Sequence, residues 1–212
     1  MMGRVVPIAL GVALALVVLV VVRRRSSRDL AEARYAPGPR PLRWTGAPAE
    51  VPPDAPAAVL LVDGYTAAGL GLLMNLHRTF PGFYRNLVIL SIAGPGAVPV
   101  AGSTDLEQLR LRRLQDLEDY RPFAHRMNAR VRFHACVSLH ELGPMTRDLR
   151  ARHPRACFFL ARVWRPETRS MDWILAPSIA EEVRRRFVRD GVPFVEAAVP
   201  LASAESLSGM EL

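Results

Sequence analysis

Lysine is absent from this 212-residue chain: all 28 basic residues are arginine. Cysteine occurs twice, which excludes a disulfide scaffold. No G-x-S-x-G, H-E-x-x-H or C-x-x-C element occurs, so no familiar nucleophile, zinc-protease or redox motif is present. What is abundant matters equally. Apolar residues make up 50% and charged residues 23%, which excludes wholesale disorder. The guanidinium fork suits phosphate, but alanine, glycine and proline are abundant beside arginine, and that combination reads as GC-rich coding rather than nucleic-acid recognition. The net charge of +8 is concentrated: residues 1–56 hold 8 Arg against 4 acids, residues 57–212 hold 20 against 16.

Residues 5–22 form a run with no charged or polar side chain, just long enough to cross the hydrocarbon core as a helix. Arg23, Arg24 and Arg25 follow at once, without a small-residue cleavage site, so the run reads as an uncleaved anchor rather than a signal peptide. Arg4 stands alone before it. The arginine excess behind it places the N-terminus outside and the remainder in the cytoplasm, at a bacterial inner membrane. Residues 23–56 carry seven prolines between Pro37 and Pro56 and read as an extended, basic linker.

From residue 57 the pattern alternates. The continuous apolar run at 57–62 reads as a buried parallel strand and 86–92 as a second, with 131–137, 156–163 and 192–199 as the third, fourth and fifth strands. Helical spacing occupies 66–80 and a long stretch from Thr104 to about Met127, with further helices after Ser138 and Ser178. Thr104/Glu107, Ser138/Glu141 and Ser178/Glu181 each fit a capping box. The expected fold is a five-stranded, doubly wound parallel sheet with flavodoxin-like order 3-2-1-4-5 over residues 57–201, behind one transmembrane helix and before a tail at 202–212.

Three segments carry a family likeness: VLLVDGYTAAGLG at 59–71, FPGFYRNLVILS at 80–91 and RRRFVRDGVPFV at 184–195, with PRACFF at 154–159 beside them. The chain resembles the cytoplasmic C-terminal domain of bacterial amino-acid permeases of the APC superfamily, a domain akin in fold to universal stress proteins. The resemblance implies a non-catalytic regulatory or interaction domain, partnered by a membrane transporter or by a second copy through residues 192–199. It departs where the family tends to show Leu-His-Asn: Leu175, Ala176 and Pro177 stand there. A permease also has many membrane helices, and this sequence offers one run.

In such a sheet ligands bind beyond the carboxyl ends of the strands. Asp63, Gly64, Gly69 and Gly71 follow the first strand and are the candidate cradle for an adenine nucleotide or small anion, with Asp63 at a ribose or base edge. Their spacing is neither a dinucleotide fingerprint nor a P-loop. Nucleotide-binding stress proteins carry a glycine-rich element after strand four, whereas residues 162–173 contain no glycine, and Asp63 is equally a turn former. Arg162 and Arg165 stand at the same edge, as anion contacts or as ordinary surface arginines. His134, Cys136 and His140 begin a zinc-like set without a fourth ligand, so no metal is expected. Asp116, Glu118 and Asp119 read as a solvated, ion-paired face.

Overall fold

The computed structural model describes residues 50–52, 54–93, 103–165, 170–173, 175 and 177–200. The apolar run at 5–22 lies outside them; among the described residues no helix is long and apolar enough to cross a membrane. The elements are β1 (Ala57–Val62), α1 (Ala67–Thr79), β2 (Asn86–Ile92), α2 (Ser103–Leu117), α3 (Arg121–Arg126), β3 (Arg130–Cys136), α4 (Leu139–Arg152), β4 (Ala156–Arg165), β5 (Ser170–Trp173), α5 (Pro177–Arg189) and β6 (Phe194–Pro200).

Five strands are parallel, in the order β3-β2-β1-β4-β6, as expected for a doubly wound sheet. Every residue of β1 and β2 is buried, because helices cover both faces. Alternate residues of β1 serve two cores. Ala58, Leu60 and Val62 join Leu70, Leu73 and Leu117 on the side of α1 to α3. Ala57, Val59 and Leu61 join Leu142, Leu149, Val183 and Phe187 on the side of α4 and α5.

The sixth strand is a departure from the expected sheet. β5 turns back antiparallel on β4, pairing Arg162 with Trp173 through Arg165 with Ser170. The first half of β4 pairs with β1 as far as Phe159, while β6 occupies its other edge from Phe158 to Trp164. β5 therefore takes over the edge that β1 leaves, directly beyond the carboxyl end of β1.

The long helix expected to reach Met127 is broken. α2 ends at Leu117, a 3-10 turn spans Glu118–Tyr120, and α3 restarts with Pro122 in its first turn, where a missing N–H is tolerated. The capping boxes also differ from expectation. α2 begins at Ser103 and α5 at Pro177, so Thr104 and Ser178 lie inside their helices. Ser138 is the N-cap of α4 but its side chain makes no cap bond; Glu141 instead accepts from the Val137 N–H at 3.2 Å, one residue further back. α1 is capped by Thr66, whose hydroxyl accepts from Gly69 N–H at 3.0 Å. Gly191, at φ +60°, closes α5 in the left-handed conformation expected of it.

Part of the stretch read as linker packs on the domain. The buried Asn86 side chain donates to the carbonyls of Pro52 and Ala55, both at 3.1 Å, and Arg85 donates to Glu50 at 3.2 Å. The chain is thereby held at the amino ends of β1 and β2 before it enters the sheet.

Candidate functional site

The topology reverses between β1 and β4, so the crevice to inspect lies beyond the carboxyl end of β1. The loop there is Asp63 to Thr66. Asp63 is 8% exposed and pairs with Arg113 of α2 at 3.1 Å. Gly64 adopts φ +79°, and a Cβ on it would stand 2.9 Å from a carboxylate oxygen of Asp116. Two demands, a left-handed backbone and a close side chain, thus fix glycine at this position.

Tyr120, fully buried, fills the space beneath the loop. Its hydroxyl donates to the Gly64 carbonyl at 3.0 Å and accepts from the Thr66 N–H at 3.4 Å. Burial raises its pKa, so the phenol stays neutral and keeps the proton it donates. A Cβ on Gly69 would lie 1.9 Å from the same hydroxyl, so glycine at 69 lets α1 lie against Tyr120. The Tyr65 ring meets Tyr120 edge-on at a centroid distance of 4.9 Å. Burial, with Asp119 adding to it, raises the Tyr65 pKa. Burial also raises the pKa of Asp119, next to Asp116 and Glu118.

Of the four residues singled out by sequence, Asp63, Gly64 and Gly69 converge on Arg113 and Tyr120, while Gly71 lies half-buried further along α1. The sequence does not pair Asp63 with Arg113, fifty positions apart. Tyr120 has a weak signal: a tyrosine on the inner face of a helix needs a partner for its hydroxyl. Arg162 is half-buried on β4, and the Arg165 side chain falls outside the described residues.

A second ion pair spans the two helical layers. Arg110 of α2 reaches Glu141 of α4 at 2.9 Å and Glu107 at 2.6 Å. α2 and α4 lie on opposite faces of the sheet, so the pair wraps the carboxyl end of edge strand β3. Beneath it a groove of about 490 Å³ runs along Phe133, His134 and Ala135.

The zinc-like set does not assemble. Cys136 faces the core beneath α4, and burial pushes its thiol up to about 12. Burial and the nearby Arg152 lower the pKa of half-buried His134. Among the described residues no group of three or more His, Cys, Asp or Glu side chains gathers as metal ligands would.

Fold and site together define a doubly wound α/β domain whose switch-point loop is bound to its own α2. Comparison with protein-family models, with curated proteins and with solved structures returns no match.

Proposed function

We propose that this protein is a membrane-anchored domain that works by binding a partner rather than by catalysis, akin to the soluble domain of amino-acid permeases. The run at 5–22 serves as the anchor and holds the domain on the cytoplasmic side. One observation carries the reading. At the switch point, the groups that would receive a ligand are engaged with one another: Asp63 with Arg113, and the Gly64 carbonyl and Thr66 N–H with Tyr120. β5 then extends the sheet over the same end. A nucleotide would have to break these bonds and repeat them in its own contacts, with little net gain.

The same hairpin offers a surface for a partner. Trp164 and Met171 face each other across β4 and β5, 39% and 48% exposed. Tryptophan and methionine are enriched where protein surfaces bind. A membrane transporter or a second copy of the chain is the partner this reading requires.

Thermal unfolding of the detergent-solubilised full chain, with and without millimolar ATP or AMP, tests the reading. We expect no shift. A rise in melting temperature that Asp63→Asn abolishes would replace it with a nucleotide sensor.

A further inference from the structure

The charges of the domain are sorted by end. Apart from α2, whose last turn meets the carboxyl end of β1 at Asp63 and Gly64, the crossover helices run back against the strands, so the carboxyl termini of α1, α3, α4 and α5 and the strand amino termini share one end of the molecule. Arg78, Arg126, Arg152 and Arg189 lie in the last turns of α1, α3, α4 and α5, Arg130 opens β3, and Arg155 precedes β4. All six are exposed. Asp148 pairs with Arg152 at 2.9 Å and Asp190 with Arg189 at 3.1 Å. Arg78, Arg126, Arg130 and Arg155 have no acidic partner among the described residues. At the opposite end Asp63, Glu107, Asp116, Asp119 and Glu141 gather around the switch-point loop and the β3 edge, with Arg110 paired to Glu107 and Glu141 and Arg113 paired to Asp63, so carboxylates outnumber the arginines that meet them.

We propose that the arginine end is a docking face for an anionic bilayer surface. The inference rests on the membrane-anchor reading and adds which way the domain faces. The chain enters the fold at this same end, pinned by Asn86 and Arg85 to Pro52, Ala55 and Glu50. An anchor upstream therefore delivers the arginine end toward the membrane first. Anionic head groups attract arginines held within a Debye length of the surface. They repel the carboxylates of the far end. Tethering keeps the local lipid concentration high, so a face too weak to hold a free domain suffices for an anchored one. The exposed Trp164 and Met171 are then turned away from the bilayer, free for a protein partner.

The test uses the full chain with Cys157→Ser, reconstituted into vesicles of phosphatidylcholine alone or of equal parts phosphatidylcholine and phosphatidylglycerol. A bimane probe is placed at Pro154→Cys, on the arginine end, or at Leu111→Cys on α2 near the acidic end. Lipids spin-labelled on the head group quench a probe held at the surface. We expect strong quenching at position 154 and little at 111 in the phosphatidylglycerol vesicles. It should fall several-fold in neutral vesicles, in high salt, and in the R130Q/R152Q/R155Q variant. Equal quenching at both positions, or quenching indifferent to phosphatidylglycerol, overturns the docking face. Carbonate extraction of the same vesicles separates the two readings. A chain that resists extraction but shows no end-selective quenching keeps its anchor and loses the face. A chain released by carbonate loses the anchor reading; the face then stands if salt-sensitive flotation with phosphatidylglycerol vesicles is lost in the triple variant, and falls if it is not.

Discussion

The hydroxyl of Tyr120 occupies the space that a side chain on Gly69 would need: an added Cβ would lie 1.9 Å from it and 3.1 Å from the ring carbon that bears it. Helix α1 can lie this close to the 3-10 turn after α2 only because position 69 is glycine. Gly69→Ala should therefore destabilise the domain by about 2–3 kcal/mol through overpacking, despite alanine's better helix propensity. Tyr120→Phe should cost about 1–2 kcal/mol by unpairing the Gly64 carbonyl. The double variant should be more stable than the sum of the two losses implies, because phenylalanine removes the nearest clashing atom. Urea denaturation of the four proteins reads the coupling; strict additivity would contradict the contact.

Asp63 and Arg113 form a second joint between the same elements. Truncating one partner leaves the other charge poorly solvated, so Arg113→Ala should cost about 2 kcal/mol. In a double-mutant cycle, Asp63→Asn should cost markedly less on the Arg113→Ala background than alone. Equal cost on both backgrounds would mean that the pair is not coupled.

Acid sensitivity should come from His153. It is 7% exposed at the end of α4, its ring nitrogens have no hydrogen-bond partner among the described residues, and its pKa is lowered from 6.5 by burial and then by Arg132, Arg152 and Arg130. His125 and His134 are lowered also, each by burial first. A lowered histidine binds its proton in the unfolded chain before the folded one. Stability is therefore full above the unfolded value of 6.5, falls as pH drops below it, and levels off at the folded pKa. The slope per histidine is at most about 1.4 kcal/mol per pH unit. His153→Leu should flatten the urea midpoint's dependence on pH below that value; an unchanged slope would acquit His153.

The two thiols should differ in reactivity. Cys136 is buried with its pKa pushed up to about 12, whereas Cys157 is half-buried, raised by burial and eased back by a hydrogen bond to Tyr84. Brief iodoacetamide treatment of the native chain at mildly alkaline pH should label Cys157 first and leave Cys136 untouched until the chain unfolds. Peptide mass spectrometry reads the order directly.

β1 and β2 were legible because strands buried on both faces are written as near-continuous apolar runs, AAVLLV and NLVILSI, whereas edge strands β3 and β6 are partly exposed and carry charged residues. β5 was not legible. Ser170–Trp173 alternates polar and apolar residues but is only four residues long, too short to stand out, and it covers the edge of β4 that β1 leaves. The break after Leu117 was within reach, since Pro122 interrupts the helical run. At the candidate site, Asp63 and the glycines stood out by their place after β1, but their reason did not. Gly69, singled out as part of a ligand cradle, leaves a recess for Tyr120, a contact between positions 51 apart that no local pattern encodes.

Native mass spectrometry of the full chain, released from its detergent micelle in the spectrometer, tests the central claim most directly. It reports bound small molecules and copy number together. Polypeptide mass alone, or an integer multiple of it, is the expected result. A stoichiometric nucleotide retained by the wild-type chain and lost from Asp63→Asn would contradict it, because the joint between β1 and α2 would then be a ligand site.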